Sequence, residues 1–166
     1  SSMIITNNEE LLRVKCEDVL PEEVAELREK LEQGLRESDE LGRPGIGLAC
    51  PQIGITKNMA IVRIPSRGDT QFNVDLVNCR IQKGYRKSLF KGEGCLSFPG
   101  RYVDTQRYQE IVVVDNLVEP HSFVATGLFA VCIQHELDHL HGLLLPDFEK
   151  PLDELRGPGL LDHWVD

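Results

Sequence analysis

Gln134-His135-Glu136-Leu137-Asp138-His139 is the stretch on which the reading of this chain turns. It sets two histidines four residues apart, with a glutamate directly after the first. On a helix, residues i and i+4 share a face, so both imidazoles can reach one metal ion. Glu136 then stands beside that ion without ligating it. A divalent metal lowers the pKa of a coordinated water toward neutrality, and a neighbouring carboxylate can accept its proton and pass it to a leaving group. The alternative is a solvated helix whose histidines coincide by chance, because short motifs carry false positives.

The third ligand decides the kind of site. A metzincin would run through Gly142, which is present, to a histidine where this chain has Leu145. A zincin would draw a glutamate from a later helix, but the sequence after His139 reads as a poor helix, with Gly157, Pro158 and Gly159 together. The ligand is therefore expected upstream, and Cys95, in Glu93-Gly94-Cys95-Leu96-Ser97, is the best candidate. One thiolate and two imidazoles leave a fourth position open, as catalytic metal sites do. Taken alone, Cys95 reads better as a small buried hydrophobe. A third segment, Gly45-Ile46-Gly47-Leu48-Ala49-Cys50-Pro51-Gln52-Ile53-Gly54, is rich in small residues and carries one polar amide. Glycines let a ligand approach the backbone, and a glutamine amide is a good donor to a developing oxyanion. No Lys-Ser/Thr follows, so it does not match a phosphate-binding loop.

Composition bounds the answer. At 166 residues the chain is expected to form one domain, large enough to bury a core without disulfides. Acidic residues outnumber basic ones 27 to 18, and the net charge of −9 argues against nucleic acid or an anionic membrane as main partner. Five cysteines without framework spacing fit a reducing compartment. No signal peptide, transit peptide or transmembrane-length apolar run is visible. Ser1-Ser2 ahead of Met3 reads as an expression remnant, with Met3 the natural start.

Periodicity sketches the elements. Val24, Leu27, Leu31 and Leu35 form an apolar stripe that predicts a helix over 21–36, with Pro21 in its first turn and Glu22-Glu23 at its positive end. Gly42, Pro44 and Gly45 break the pattern. Met59 to Ile64, Phe72 to Val77 and Ile111 to Asp115 predict strands, with turn-rich 65–69 between the first two; Tyr85 to Phe90 and Arg101 to Thr105 are weaker candidates. Thr126 to His141 predicts the second helix. The fold class is therefore α+β, mainly antiparallel sheets around a central helix that carries the metal histidines.

In this order, the three segments closely resemble the signature boxes of peptide deformylases: Gly-x-Gly-Leu-Ala-x-x-Gln, Glu-Gly-Cys-Leu-Ser and Gln-His-Glu-x-Asp-His. Gln52, Cys95 and His135 also fall at similar separations, and the likeness runs from about Leu12-Arg13 to Gly142. It implies a single catalytic domain over 1–166 with a similar fold. Cys95, His135 and His139 would hold one divalent metal, Fe²⁺ natively, with Zn²⁺, Ni²⁺ or Co²⁺ accommodated by the same donors. The substrate implied is a nascent chain beginning with N-formylmethionine, which loses formate. Glu136 would shuttle the proton, and the Gln52 amide and the Leu96 backbone N–H would stabilise the oxyanion. Ile46, Gly47 and Gly94 would hydrogen-bond the peptide backbone, while Leu128, Val131 and Cys132 would line the methionine pocket; without the resemblance these last three read as core. Arg107 corresponds to an arginine of the family, though a surface charge reads equally well. Gln134 and Asp138 read as orienting partners or as helix-surface contacts. His121, His141 and His163 stay outside the metal site, and Cys16 and Cys79 read as packing residues. The resemblance further implies a monomer working near the ribosome in the cytoplasm of a bacterial or phage-infected cell, or in an organelle.

The chain departs from the family pattern at Cys50, where alanine is usual, at Phe98, where a smaller aliphatic is commoner, and at Asn78-Cys79, where Asn-Pro is usual. Its tail after Pro146 is short. A small metalloprotease cleaving ordinary peptide amides is the main rival, and it lacks a downstream third ligand. A catalytically dead relative that only binds peptides is the second, opposed by intact Glu136, Gln52 and ligands.

Overall fold

Met59-Ala60-Ile61-Val62-Arg63-Ile64 is apolar on both faces apart from Arg63, and a strand with two apolar faces must be covered on both sides. The computed structural model, which describes residues 3–65, 72–117 and 119–149, places it between two helices. The chain runs through helices α1 (Glu9–Leu12) and α2 (Val24–Glu40), strands β1 (Gly47–Ala49), β2 (Met59–Ile64), β3 (Phe72–Val77), β4 (Arg80–Gly94), β5 (Tyr102–Val114) and β6 (Ser122–Thr126), and helix α3 (Gly127–Leu140). Short 3₁₀ turns lie at Pro21–Glu23, Cys50–Ile53 and Leu145–Glu149. The strands form two antiparallel sheets, β1-β2-β3 and β4-β5-β6. Ala60, Val62 and Ile64 pack with Ile133 and Leu137 of α3, while Met59 and Ile61 pack with Leu27 and Leu31 of α2. The α+β arrangement around a central helix is the one expected. Among the described residues, no helix is long and apolar enough to cross a membrane.

β2, β3 and the histidine helix lie where periodicity places them. The first helix runs on to Glu40 rather than stopping at Arg36, and it ends where Gly42 takes φ +79° and Ser38 accepts the Arg43 amide on its carbonyl. The two weaker strand candidates and Ile111 to Asp115 are pieces of one long hairpin, β4-β5, whose polar outer face hides its alternation. β1, β6 and α1 are additions: three residues of β1 pass for loop because glycine-rich sequence carries no strand signal. The predicted 65–69 turn falls mostly outside the described residues, as does the tail with Gly157-Pro158-Gly159.

A bulge in β4 sets which face Glu93 occupies. Phe90 pairs with Thr105 and Glu93 pairs with Val103, so β4 advances three residues where β5 advances two. Gly92 absorbs the extra residue at φ +73°, and its N–H is held by Asp104 Oδ1 at 2.9 Å. The slip puts Glu93 on the same inward face as Val103, Thr105 and Arg107.

α3 is fastened to β5 by Gln134. β6 pairs with β5 only from Glu110 onward. At Tyr108 the Gln134 side chain takes over that edge, accepting from Tyr108 N at 2.9 Å and donating to Tyr108 O at 2.8 Å. Gln134 is thus a fully buried brace rather than a surface residue. Replacing it with leucine strands a buried N–H and C=O. Gln134→Leu is expected to lower the free energy of unfolding by about 2–4 kcal/mol, read from the urea midpoint at unchanged slope. A variant within 0.5 kcal/mol of wild type, roughly the noise of a neutral surface change, would show that water replaces the brace.

Candidate metal centre

β4 leaves its sheet at Gly94, and the turn that follows, closed by Phe98 N–H to the Cys95 carbonyl at 3.0 Å, turns Cys95 toward α3. His135 and His139 lie one helical turn apart on α3, with ring centroids 5.1 Å apart. The donor atoms of Cys95, His135 and His139 all lie within 4.8 Å of one another, and Cys95 Sγ is 3.3 Å from His139 Nε2. Burial works to raise the Cys95 thiol, but the two imidazoles outweigh it and bring the pKa down to about 5. Burial alone dominates at Cys50 and Cys132, which are pushed up to about 12. Cys95 is thus the thiolate, the form that binds metal. A thiolate with two imidazoles is a donor set suited to a divalent ion.

Behind the ligands lies a buried ion network that the sequence reading did not assemble. His135 Nδ1 is 2.7 Å from Glu93 Oε2. Burial opposes the charge on Glu93, yet Arg107 and His135 outweigh it and hold the carboxyl well below its usual range. A carboxylate only accepts, so a proton sits on Nδ1; burial opposes the charge on the ring, but Cys95 and Glu93 outweigh it and raise its pKa well above the usual value, so a metal at Nε2 would displace the second proton. Arg107 donates through Nε and Nη2 to Glu93, at 2.9 and 2.5 Å, and through Nη1 to Asp138 at 2.5 Å. Thr105 Oγ1 adds a bond to Glu93 at 2.8 Å. Arg107 is only 3% exposed, so the surface-charge reading is overturned. Asp138 is buried and joins this network at Arg107. Glu93 belonged to the cysteine box without a role. Its signal was an acid two residues before a candidate ligand, which is too common to read alone.

Glu136 projects from α3 toward β1. A Cβ on Gly47 would collide with its carboxylate, so glycine is what permits this approach. Burial raises the Glu136 pKa to about 7 against the pull of the two imidazoles, and its Oε1 is buried without a hydrogen-bond partner. His139 Nδ1 is the other such atom among the described residues. Gln52 is held at both ends: Oε1 accepts from Ala49 N at 2.9 Å, and Nε2 donates to Ser97 Oγ at 3.1 Å. Its second N–H faces Cys95 Sγ, 3.7 Å away. The N-terminal segment pins both loops, with Ile5 N bonded to Gln52 O at 2.7 Å and Asn7 N to Ser97 O at 2.8 Å. Sequence gave no hint of that clasp.

These groups face a cleft of about 550 Å³. Ile46, Gly47, Gln52, Gly94, Cys95, Leu96, Leu128, Val131, Cys132, His135 and Glu136 all line it, and His139 lies just beneath. Phe98 lines it too, while Cys50 is buried in the α2-side core and does not. Cys16 and Cys79 pack against the α3 core. His121 sits on an exposed turn with Asp115, and His141 turns back to the Leu137 carbonyl at 2.9 Å, so neither joins the site. His163 lies outside the described residues.

Comparison with known proteins agrees with this geometry. The family model described as polypeptide deformylase matches residues 1–154. A peptide deformylase 2 of Gloeobacter violaceus is 38% identical over 128 residues, which cover 76% of this chain and 66% of that protein. A Helicobacter pylori peptide deformylase is 34% identical over 152 residues, covering 82% and 87%. The match spans 66%, 64% and 56% of the length of three relatives, those of G. violaceus, Rhizobium meliloti and Prochlorococcus marinus. Among solved structures, a probable peptide deformylase from Synechococcus phage S-SSM7 superposes with a TM-score of 0.76 at 33% identity, covering 89% of this chain and 99% of that one. With three motifs in order, a Cys-His-His donor cluster on the helix they predict, and a family model matched over nearly the whole chain, the protein belongs to the polypeptide deformylase family.

Proposed function

We propose that this protein is a metal-dependent hydrolase that removes the formyl group from N-formylmethionine at the start of nascent chains, releasing formate. The observation that carries the reading is Glu136: a buried carboxylate with an unpartnered oxygen beside a thiolate and two imidazoles. Cys95, His135 and His139 would hold the metal, Fe²⁺ natively, which when bound would supply a Lewis acid for the formyl group and acidify water. Glu136 takes a proton from the water that attacks the formyl carbon and hands it to the departing nitrogen, so that the C–N bond breaks to give a neutral amine and formic acid, which leaves as formate once its remaining proton is lost to solvent. The negative oxygen formed in between accepts hydrogen bonds from the second Gln52 N–H and from the Leu96 backbone. Ile46, Gly47 and Gly94 bind the peptide backbone, and Leu128, Val131 and Cys132 take the methionine side chain. The substrate is met near the ribosome by a monomer, in the cytoplasm of a bacterial or phage-infected cell or in an organelle; bacterial and phage relatives support this setting.

Formyl-Met-Ala assayed beside an unformylated peptide tests the reaction directly. Release of formate from the first and no cleavage of the second is expected; amide cleavage of the second would favour the metalloprotease. Metal analysis of protein purified without oxygen, with activity measured on the same sample, tests the iron assignment.

Glu136→Gln keeps every ligand and is expected to retain metal while turnover falls by about 10²–10⁴ or more; near-normal turnover in the folded variant sinks the proton-shuttle role. Cys95→Ser is expected to lose metal and Cys50→Ala to keep it, by metal analysis after dialysis. Equal loss in both would mean that the wrong thiol has been assigned. Gln52→Leu removes the oxyanion donor, so kcat is expected to fall by about 10²–10³ with a smaller change in KM. It also strands the buried Ala49 N–H, so some stability is lost as well. A raised KM at unchanged kcat would make Gln52 a ground-state contact instead.

A further inference from the structure

We propose that Phe148, on the turn after α3, is a positioning residue for the metal centre: its ring holds the Arg107 guanidinium flat, and through Glu93 this aims His135 at the metal. Arg107 Cζ lies 4.6 Å from the centroid of the Phe148 ring. The guanidinium is thereby constrained in two independent ways. Its N–H groups run sideways to Glu93 and Asp138, which fixes it within its plane. The aromatic face fixes its tilt, and attracts a cation more strongly where water is excluded.

The coupling to the metal centre is one atom long. Glu93 Oε2 accepts from both Arg107 Nη2 and His135 Nδ1. A guanidinium free to rock would drag that oxygen and rotate the imidazole whose Nε2 faces the donor cluster. Partners that orient a metal-bound histidine commonly govern affinity by such means.

The turn carrying Phe148 is itself anchored on both sides. Asp147 accepts from Arg13 at 2.9 and 2.7 Å and also caps its own turn at Leu144 N, 2.9 Å away. Glu149 pairs with Arg101 at 2.5 Å. Leu144, Leu145 and Phe148 pack with Leu12, Phe98 and Val103. Phe148 therefore cannot simply swing away when the network relaxes, because the N-terminal segment, the cysteine turn and β5 all pack in its cluster.

The inference rests on the metal-centre reading and not on the reaction, so its test needs no turnover. Zinc-loaded wild type, Phe148→Leu and Phe148→Tyr are mixed with excess chelating dye, and zinc release is timed; thermal midpoints are recorded alongside. Leucine keeps apolar cover but has no aromatic face, and tyrosine keeps the face. Phe148→Leu is expected to release zinc about 10–100-fold faster, while Phe148→Tyr stays close to wild type. Phe148→Met carries the same expectation where the leucine variant does not fold. Wild-type release from the leucine or methionine variant, whatever its thermal midpoint, overturns the proposal, and so does equal acceleration by leucine and tyrosine. A wild-type protein that takes up no zinc overturns the metal centre itself and this inference with it.

Discussion

Arg107 is the constraint on which the centre depends. A guanidinium has no accessible neutral form, so an arginine this deeply buried must be met by anions or not be buried at all. Glu93 comes to it from the neighbouring strand and Asp138 from the central helix. Three elements distant in sequence are thereby locked at one point. Such an ion cluster gives back little net stability, because desolvation consumes most of the attraction. Removing a single partner, however, leaves a stranded charge. What it supplies is geometry: β4, β5 and α3 can meet in one register only.

The same exclusion of water sorts the titratable groups. Burial pushes Cys50 and Cys132 up, and both stay protonated, whereas the imidazoles beside Cys95 reverse the effect of its burial. At Glu136 burial outweighs the pull of the two imidazoles, and its pKa rises to about 7. Neighbouring acidic side chains on one helix thus carry opposite burdens: Asp138 is paired with the Arg107 guanidinium, and Glu136 is left with an unsatisfied oxygen. Buried polar atoms without partners are rare in folded proteins. Both of those found among the described residues, on Glu136 and His139, flank the donor cluster.

Small residues determine how closely the layers approach. Gly47 lets β1 pass under the Glu136 carboxylate, and Gly92 takes the extra residue that turns Glu93 inward. A side chain at the first would displace the acid, and one at the second would be strained at φ +73°. Neither glycine has a ligand to bind in this role, so what sets them is the spacing of the acid and of the strand register.

Local pattern alone was enough for the parts of this protein whose signal is periodic or motif-like. α3 with its two histidines and Glu136, β2, β3 and the α+β class are all legible within a few residues, because i,i+4 spacing and two-residue alternation are short-range properties, whereas Gln52 and Cys95 became candidates only through the order of three boxes along the chain. Phe98 and Cys132 could be named, but not whether they face a core or a cleft. Only tertiary structure decided that Arg107 is buried, that Gln134 braces a strand edge, that β4 and β5 are single long strands, and that Glu93 rather than its neighbour faces His135. The physical reason is that each depends on a partner far away in the chain. A one-residue bulge, visible only once β4 is paired with β5, exchanges the two faces of the strand and with them the acid that meets His135.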